Sequence, residues 1–469
     1  MNSSAIIFIV LAVAWVLRTL RKDLRSGLCL IFGFLVFLPT SMRFSLPGAL
    51  PEVTVHRILI VIAFLFVIKN RKPNRIKWPV RNLTLILLFG LEQFVSGMLG
   101  NHFITSIKGC INYGIETILF YLLISEYVQG EDDVVPLLRG ISFGLAGVAI
   151  IAVVEKYMHF NPLDKVNLGM VAFKGNGADI TSTYPHRILF GYAMAMGIPM
   201  VLALSIYVQD VSSKRIYYLI ALLLMAADYF STSRGPWLGL ILALLGMAVL
   251  GGPLLRRRLF YIGILTSTVM LVRPGVWHTI DDLYQQTFST NSEKGSTYSY
   301  RWELWGVAWK ELNKANLILG YGPLTTEFMD LSENWSGEGS QASIAQIGHT
   351  SWDNNYACDL IELGVLGLTM ECVLFLAIAI VLLRIWWNCE GRDRTLMAGV
   401  TVSCLIFMYS MTNVFIFAPQ LKYLFWSLVA VGSNLPHVIS NRHSHGVAAP
   451  MTTHGEGIIA SDVLTEARI

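Results

Sequence analysis

The chain contains a succession of apolar runs, each close in length to a membrane-spanning helix. Of its 469 residues, 54% are apolar and 14% are charged, whereas about 25% are charged in soluble domains. A helix crosses a bilayer with roughly 17–25 apolar residues, so the runs predict an all-α polytopic membrane protein with about 12–13 transmembrane helices. The runs lie at 5–17, 27–42, 56–69, 83–100, 111–128, 134–155, 187–208, 216–231, 236–252, 258–273, 358–384, 396–416 and 420–434.

Basic residues predict how these spans are oriented, because Lys and Arg are retained in cytoplasmic loops. They are concentrated after the first run and in the loops 69–81, 252–258 and 384–394. If successive spans cross the membrane in alternating directions, these loops all lie on the same side of it. The acidic loop 126–134 falls on that side too, although acidic residues carry little weight in this rule. The large polar loop 274–357 then faces the extracytoplasmic side.

The same pattern divides the chain into four parts. Ten spans are expected in 1–273, the large loop with amphipathic helices in 274–357, three spans in 358–434 and a disordered cytoplasmic tail in 435–469. The first run is expected to be a retained helix with its N-terminus outside. It has basic residues after it rather than before it, which is opposite to a secretory signal.

Other bulk features exclude several classes of function. The net charge of +4 is explained by the basic inner loops and implies no nucleic acid. The six cysteines are scattered without a CxxC spacing, so neither a zinc site nor a disulfide framework is predicted. No metal or other cofactor is expected.

Two arginines on the extracytoplasmic side are candidates for binding an anion. Arg234 lies in the segment STSRGP that begins at Ser231, at a membrane boundary, where an ionisable group is a functional candidate. Alternatively, it reaches the headgroups or anchors the turn. Arg301 opens a segment with helical spacing, with Trp305 and Trp309 on the same face. That face predicts either an interfacial helix or a guanidinium directed at a lipid phosphate.

Carboxylates precede and enter the next span. Asp353 is either the N-cap of that helix or a carboxylate that takes a proton from a sugar hydroxyl. Glu362 follows nine residues later on the same helix. Tyr356 and Asp359 lie between them at three-residue steps, so a polar stripe is expected along the start of this helix.

In this order, the segments resemble the O-antigen ligase and O-antigen polymerase superfamily of bacterial inner-membrane glycosyltransferases. The motifs cover roughly residues 185–370, and helix count and loop placement extend the resemblance to the whole chain. The matching pieces are STSRG from Ser231, Arg301 with Trp305 and Ala308, LGYG from Leu319, DNNY from Asp353 and ELGVLG from Glu362.

The resemblance implies a C-type, metal-independent, inverting glycosyltransferase. Its donor would be a glycan on undecaprenyl diphosphate, and Arg234 and Arg301 would bind the diphosphate. The segment TYPHR, which contains His186 and Arg187, is similar to a histidine-containing segment of polymerases. We therefore include both residues in the diphosphate site.

One position departs from the ligase pattern. Ligases of this family have His-Asn where this chain has Asp353-Asn354, and the only nearby histidine is His349. The candidate catalytic residues are therefore Asp353, His349 and Glu362. The aspartate favours a polymerase of lipid-linked repeat units. A ligase that transfers the glycan to lipid A-core or to a protein is the alternative, and a transporter is disfavoured because most candidate residues lie at one face.

The resemblance also implies where the protein works and with what. A multi-pass protein of the bacterial inner membrane is expected, with its active site facing the periplasm. Its partners would be the lipid-linked donor, a glycan acceptor, the bilayer, and a flippase and a chain-length regulator.

Overall fold

The protein is described by a computed structural model that covers residues 3–44, 52–70, 82–100, 102–166, 180–272, 293–329 and 352–446. Apart from one short β-hairpin, these residues form helices joined by turns and irregular segments. The α-helices are Ser3–Lys22 (α1), Leu24–Phe37 (α2), Val55–Lys69 (α3), Leu83–Leu99 (α4), Phe103–Tyr113 (α5), Phe120–Tyr127 (α6), Glu131–Met158 (α7), Arg187–Tyr207 (α8), Val211–Phe230 (α9), Arg234–Leu250 (α10), Pro253–Val272 (α11), Glu293–Leu312 (α12), Asn355–Asn388 (α13), Gly391–Ser410 (α14) and Pro419–Gly446 (α15).

Shorter elements connect some of these helices. A π-helical turn, Gly114–Leu119, joins α5 to α6, so that the two form one continuous helix. Single 3₁₀ turns occupy Pro162–Val166 and Thr325–Phe328. The strands Arg43–Phe44 (β1) and Val53–Thr54 (β2) pair antiparallel, with Arg43 opposite Thr54.

The prediction of an all-α polytopic membrane protein is confirmed. Each predicted apolar run coincides with a helix or with the continuous α5–α6 unit. By length and composition, four described helices can cross a membrane: Phe103–Tyr127, Glu131–Met158, Arg187–Tyr207 and Asn355–Asn388. Helices α2, α4 and α10 are apolar but shorter. The full number of crossings stays a prediction.

Two predicted boundaries differ from the structure. The last helix does not end at 434 but continues to Gly446, because Leu435 and Val438 are still buried against the bundle. The basic residues at 256–258 lie inside the first turns of α11 rather than in a loop. Arg256 donates from Nε to the carbonyl oxygen of Ala248 at 3.0 Å, which satisfies one of the free carbonyls at the end of α10.

Helix α8 is the centre of the bundle. It is almost fully buried and packs against α7, α9, α10 and α14. Ser403 of α14 donates to the carbonyl oxygen of Met196 in α8 at 2.7 Å. Helix α2 packs closely along α7, where a Cβ on Gly140 or Gly144 would overlap backbone carbonyls of α2. Small residues permit this close approach between membrane helices.

Ion pairs join the first turns of helices at one end of the bundle, which we call the basic end. Arg25, at the start of α2, contacts Asp132 and Asp133 at 3.3 and 3.1 Å, and Arg392 contacts Glu131 at 3.0 Å. These contacts explain why an acidic loop shares a side with basic loops. Its carboxylates lie next to the basic side chains of neighbouring loops.

The opposite end carries β1 and β2, and we call it the hairpin end. Gln420 donates to the carbonyl oxygen of Leu38 at 3.0 Å, and Asn161 donates to that of Ser182 at 2.7 Å. Ser96, near the end of α4, donates to the carbonyl oxygen of Leu319 in the large polar loop. The segments that charge bias assigned to the two sides are therefore separated in space, at opposite ends of the bundle.

Candidate active site

The turn before α10 places Arg234 at the hairpin end. Helix α9 ends at Phe230, and Thr232 has a positive φ of 50°, which is strained for a β-branched residue. Trp237 holds this geometry, since its Nε1 donates to the carbonyl oxygen of Asp228 at 3.2 Å and its ring stacks on Tyr229 at 5.6 Å. Backbone strain of this kind is concentrated at functional sites.

Arg234 is the first residue of α10 and is half-buried. The amino end of a helix already carries a positive partial charge and unpaired N–H groups, so a cation there is unfavourable unless an anion is present. Arg234 therefore adds to a positive field instead of offsetting one. The geometry suits a negatively charged ligand.

Arg301 approaches the same place from the large loop. It lies in the middle of α12 and is half-buried, and its charge is close enough to interact with that of Arg234. Its Nε is buried and has no hydrogen-bond partner among the described residues. The like charges of the two guanidinium groups repel each other, and a buried donor without an acceptor is costly. An anion bound between them would remove both penalties.

Further polar side chains, from α8, α9 and α14, lie near this pair. Tyr192 of α8 packs against Tyr409 of α14 with ring centroids 6.0 Å apart, and both interact electrostatically with Arg301. Within the described part of the chain, neither carboxylate oxygen of the buried Asp228 has a hydrogen-bond partner. Unsatisfied buried groups are rare in folded proteins. Only the ionisable Asp228 inside an apolar run could have been noticed from sequence.

The helix α12 begins earlier than expected, at Glu293, and its buried face carries Leu304, Ala308 and Leu312. These residues pack on the start of α13 together with Trp352. Trp305 joins this cluster, but Trp309 is 48% exposed. The two tryptophans predicted to share a face with Arg301 therefore have different environments: Trp305 is packed against the bundle and Trp309 is exposed.

Helix α13 is broken at Gly364, which has φ 67° and ψ −169°. The break frees two carbonyl oxygens and two N–H groups of the helix. The segment Leu317–Gly322 replaces the missing partners. Four hydrogen bonds form: Tyr321 N to Ile361 O at 3.0 Å, Gly322 N to Glu362 O at 2.8 Å, Val365 N to Leu317 O at 3.1 Å and Leu366 N to Ile318 O at 3.1 Å.

Glu362 fastens the next part of the same segment. Its carboxylate accepts from the backbone N–H of Leu324 at 2.8 Å and of Thr326 at 3.1 Å, and also from the Thr326 hydroxyl. Its backbone oxygen accepts from Ser96 at 3.1 Å. These contacts occupy both carboxylate oxygens, so Glu362 holds the loop in place.

Asn354, not Asp353, caps α13. The Asn354 side chain accepts from the backbone N–H of Ala357 at 3.2 Å. Capping was one of the two roles expected for Asp353, and the structure assigns that role to its neighbour. Asp353 is half-buried just outside the helix. Asn355 then ties this start to the loop after α14, through a bond from its N–H to the carbonyl oxygen of Met411 at 2.8 Å.

The end of α14 connects the two halves of the site. Tyr409 lies beside Arg301, and the neighbouring Met408 accepts from the hydroxyl of Tyr356 at 3.2 Å. Neighbouring residues at the end of α14 therefore interact both with Arg301 and with the start of α13. The structure brings Arg234, Arg301 and the Asp353 segment to one region of the hairpin end.

The remaining candidates are placed differently. His186 caps α8, because its Nδ1 accepts from the backbone N–H of Ile188 at 3.3 Å, and Arg187 is the first residue of that helix. Both lie at the hairpin end. His349 is outside the described residues, so its proposed role stays a prediction.

Comparison with known protein families bears on this region. Residues 219–372 match the family model of the O-antigen ligase domain, Wzy_C. The match supports a relationship of this region to the O-antigen ligase and O-antigen polymerase superfamily. The matched range contains Arg234, Arg301, Asp353 and Glu362, whereas the TYPHR segment precedes it. No curated protein matches the chain.

The break in α13 leads to a stability prediction. We expect Gly364→Ala to release the segment Leu317–Gly322, because a Cβ at this φ and ψ is strained and would overlap the carbonyl oxygen of Ile318. The cost is on the order of 1–3 kcal/mol. Limited proteolysis of the detergent-purified protein would show faster cleavage in this segment.

The matched control is Gly306→Ala on α12, where a Cβ would meet no atom within 4 Å. It should be cleaved like the wild type. If both variants were equally resistant, the break would not be what docks the loop.

Proposed function

We propose that the protein polymerises lipid-linked glycan repeat units at the extracytoplasmic face of the bacterial inner membrane. The observation that carries this proposal is the paired guanidinium groups of Arg234 and Arg301, with a buried unpartnered Nε, inside an O-antigen ligase domain. Guanidinium donates parallel hydrogen bonds to phosphate oxygens and keeps its charge at all physiological pH values. An undecaprenyl diphosphate would supply such oxygens at a membrane surface.

The reaction would be a substitution at the anomeric carbon of the donor sugar. A hydroxyl oxygen of the acceptor forms the new bond, with inversion. The bond to the diphosphate oxygen breaks, and the lipid diphosphate leaves with the electron pair. Negative charge grows on that oxygen in the transition state, where fixed positive groups lower the barrier most. Arg234 and Arg301 would fill this role.

The proton of the attacking hydroxyl needs an acceptor, and Asp353 is the proposed base. It is half-buried beside the capped start of α13 and is not needed for capping. Glu362 is proposed as a positioning residue because its carboxylate is committed to the loop. His186 and Arg187, at the same end, are proposed to contact a more distant part of the lipid-linked substrate.

A ligase remains the second candidate, because the matching family model is described as an O-antigen ligase. Deletion of the gene distinguishes the two activities. We expect single lipid-linked repeat units to accumulate, as measured by mass spectrometry of extracted lipid-linked glycans. Accumulation of long lipid-linked chains would identify a ligase instead, and an unchanged lipid-linked pool would contradict both.

Loss of either arginine should reduce turnover without unfolding the protein. We expect Arg301→Gln and Arg234→Gln to lower the rate by about 10²–10³-fold, the usual effect of removing one preorganised donor. Turnover of lipid-linked units in membrane vesicles measures this. Arg258→Gln, in the first turns of α11 at the basic end, is the control and should retain the wild-type rate. Full activity in both site variants would exclude the diphosphate clamp.

Substitutions of two neighbouring residues at the start of α13 should distinguish an effect on catalysis from an effect on stability. We expect Asp353→Asn to lower turnover by about 10²-fold or more, because the base is lost, with no change in thermal stability. Asn354→Ala should lower the free energy of unfolding by about 1 kcal/mol, because it removes the cap. Wild-type turnover in Asp353→Asn would show that the proton goes elsewhere.

A further inference from the structure

A polar cavity lies at the hairpin end, and neither Arg234 nor Arg301 lines it. Its volume is 310 Å³, at the lower end of the roughly 300–1,000 Å³ typical of small-molecule sites. Its walls come from β1, β2, α3, α4, the α5–α6 unit, α13, α14 and α15, together with Pro323 and Leu324 of the docked loop. It is therefore a second feature of this end of the bundle, separate from the arginine pair.

Buried charges line this cavity. Arg57 donates from Nε and Nη2 to Glu116 at 2.9 and 2.8 Å, and the two side chains are only 12% and 9% exposed. Glu116 lies in the π-helical turn, and such turns are frequent at functional sites. Removing an ion pair from water costs free energy that the pair does not always recover. Stabilisation of the fold alone therefore does not explain why this ion pair is buried here.

One lining group lacks a partner. Glu371 is 6% exposed, and its Oε2 has no hydrogen-bond partner among the described residues. Its carboxyl group lies within hydrogen-bond range of Asp359, which also lines the cavity. Two carboxyl groups this close share a proton, and the Glu371 oxygen that stays unpaired in a buried site is unfavourable. A ligand with hydroxyl groups would satisfy it.

The rest of the lining indicates the chemistry of that ligand. Acidic and basic side chains both contribute, including Glu116, Arg57 and Lys422, so the cavity does not favour a phosphate. Amide groups of Gln93 and Asn112 add neutral donors and acceptors. Several aromatic rings complete the walls: Phe89, Tyr113, Phe375, Phe407, Phe425 and Trp426. Polar edges that alternate with aromatic faces match a sugar ring, which has hydroxyl groups at its rim and C–H groups on its faces.

We propose that this cavity binds a sugar ring of the acceptor glycan. This inference rests on the proposed glycan transfer and specifies where the acceptor is bound. The cavity reaches Asn355, two residues from Asp353, and Glu362, which holds the loop that forms one wall. A sugar in the cavity would therefore direct the rest of the acceptor towards the proposed base.

Binding of a lipid-free oligosaccharide tests this assignment. The probe is the oligosaccharide released by mild acid from the lipid-linked pool of cells that lack the gene, titrated calorimetrically into the full-length protein in nanodiscs. We expect Glu371→Gln to weaken its binding by roughly tenfold or more, because the amide puts a donor where the carboxyl group has an acceptor oxygen. Binding of undecaprenyl diphosphate should not change in this variant.

Phenylalanine substitutions at two neighbouring positions give an independent measurement. Asn112 lines the cavity, whereas the neighbouring Ile111 is 37% exposed on the outside of the same helix. Asn112→Phe should abolish oligosaccharide binding by filling the space, and Ile111→Phe should bind like the wild type. Arg301→Gln should also bind the oligosaccharide normally, because it alters only the diphosphate site.

The outcomes separate this inference from the proposed function. Wild-type binding in both Glu371→Gln and Asn112→Phe would overturn the sugar site, as would a protein that turns over lipid-linked units without binding the oligosaccharide. The two variants could lose oligosaccharide binding while deletion of the gene leaves the lipid-linked pool unchanged. That result would support the sugar site and reject the transfer reaction.

Discussion

The arrangement of the hairpin end depends on one interruption of a helix. At Gly364 the backbone of α13 leaves the helical region, and the carbonyl and N–H groups set free bond to the segment Leu317–Gly322. A membrane-embedded or buried backbone tolerates such a break only when other groups satisfy it. The large loop is therefore joined to the bundle by backbone bonds, and α12 with Arg301 is held in place as a consequence.

The same junction connects the two polar features. On one side, α12 packs on the start of α13 and brings Arg301 towards Arg234. On the other, Pro323 and Leu324 form a wall of the cavity, held by Glu362. The proposed transfer reaction requires a charged lipid diphosphate and a neutral glycan to be held next to each other. Separate sites on either side of this junction would meet that need.

The sequence predicted the helices well and the site only partly. Apolar runs located the spans because helix length in a bilayer is set by its thickness. The helix ends were less predictable, since the burial of Leu435 and Val438 depends on neighbouring helices. The alternative that Asp353 caps α13 was wrong, because Asp and Asn cap equally well and only the backbone geometry selects Asn354.

By itself, the sequence determined the membrane class and the order of the helices, and it singled out Arg234 and Arg301 as candidates, since these depend on composition, length and local motifs. Tertiary structure decided which of the polar residues act together. Tyr192 and Tyr409 both interact with Arg301 although they lie on different helices. The cavity around Glu371 likewise combines side chains from distant parts of the chain. Contacts between residues distant in sequence leave no local pattern, so only the packed bundle shows them.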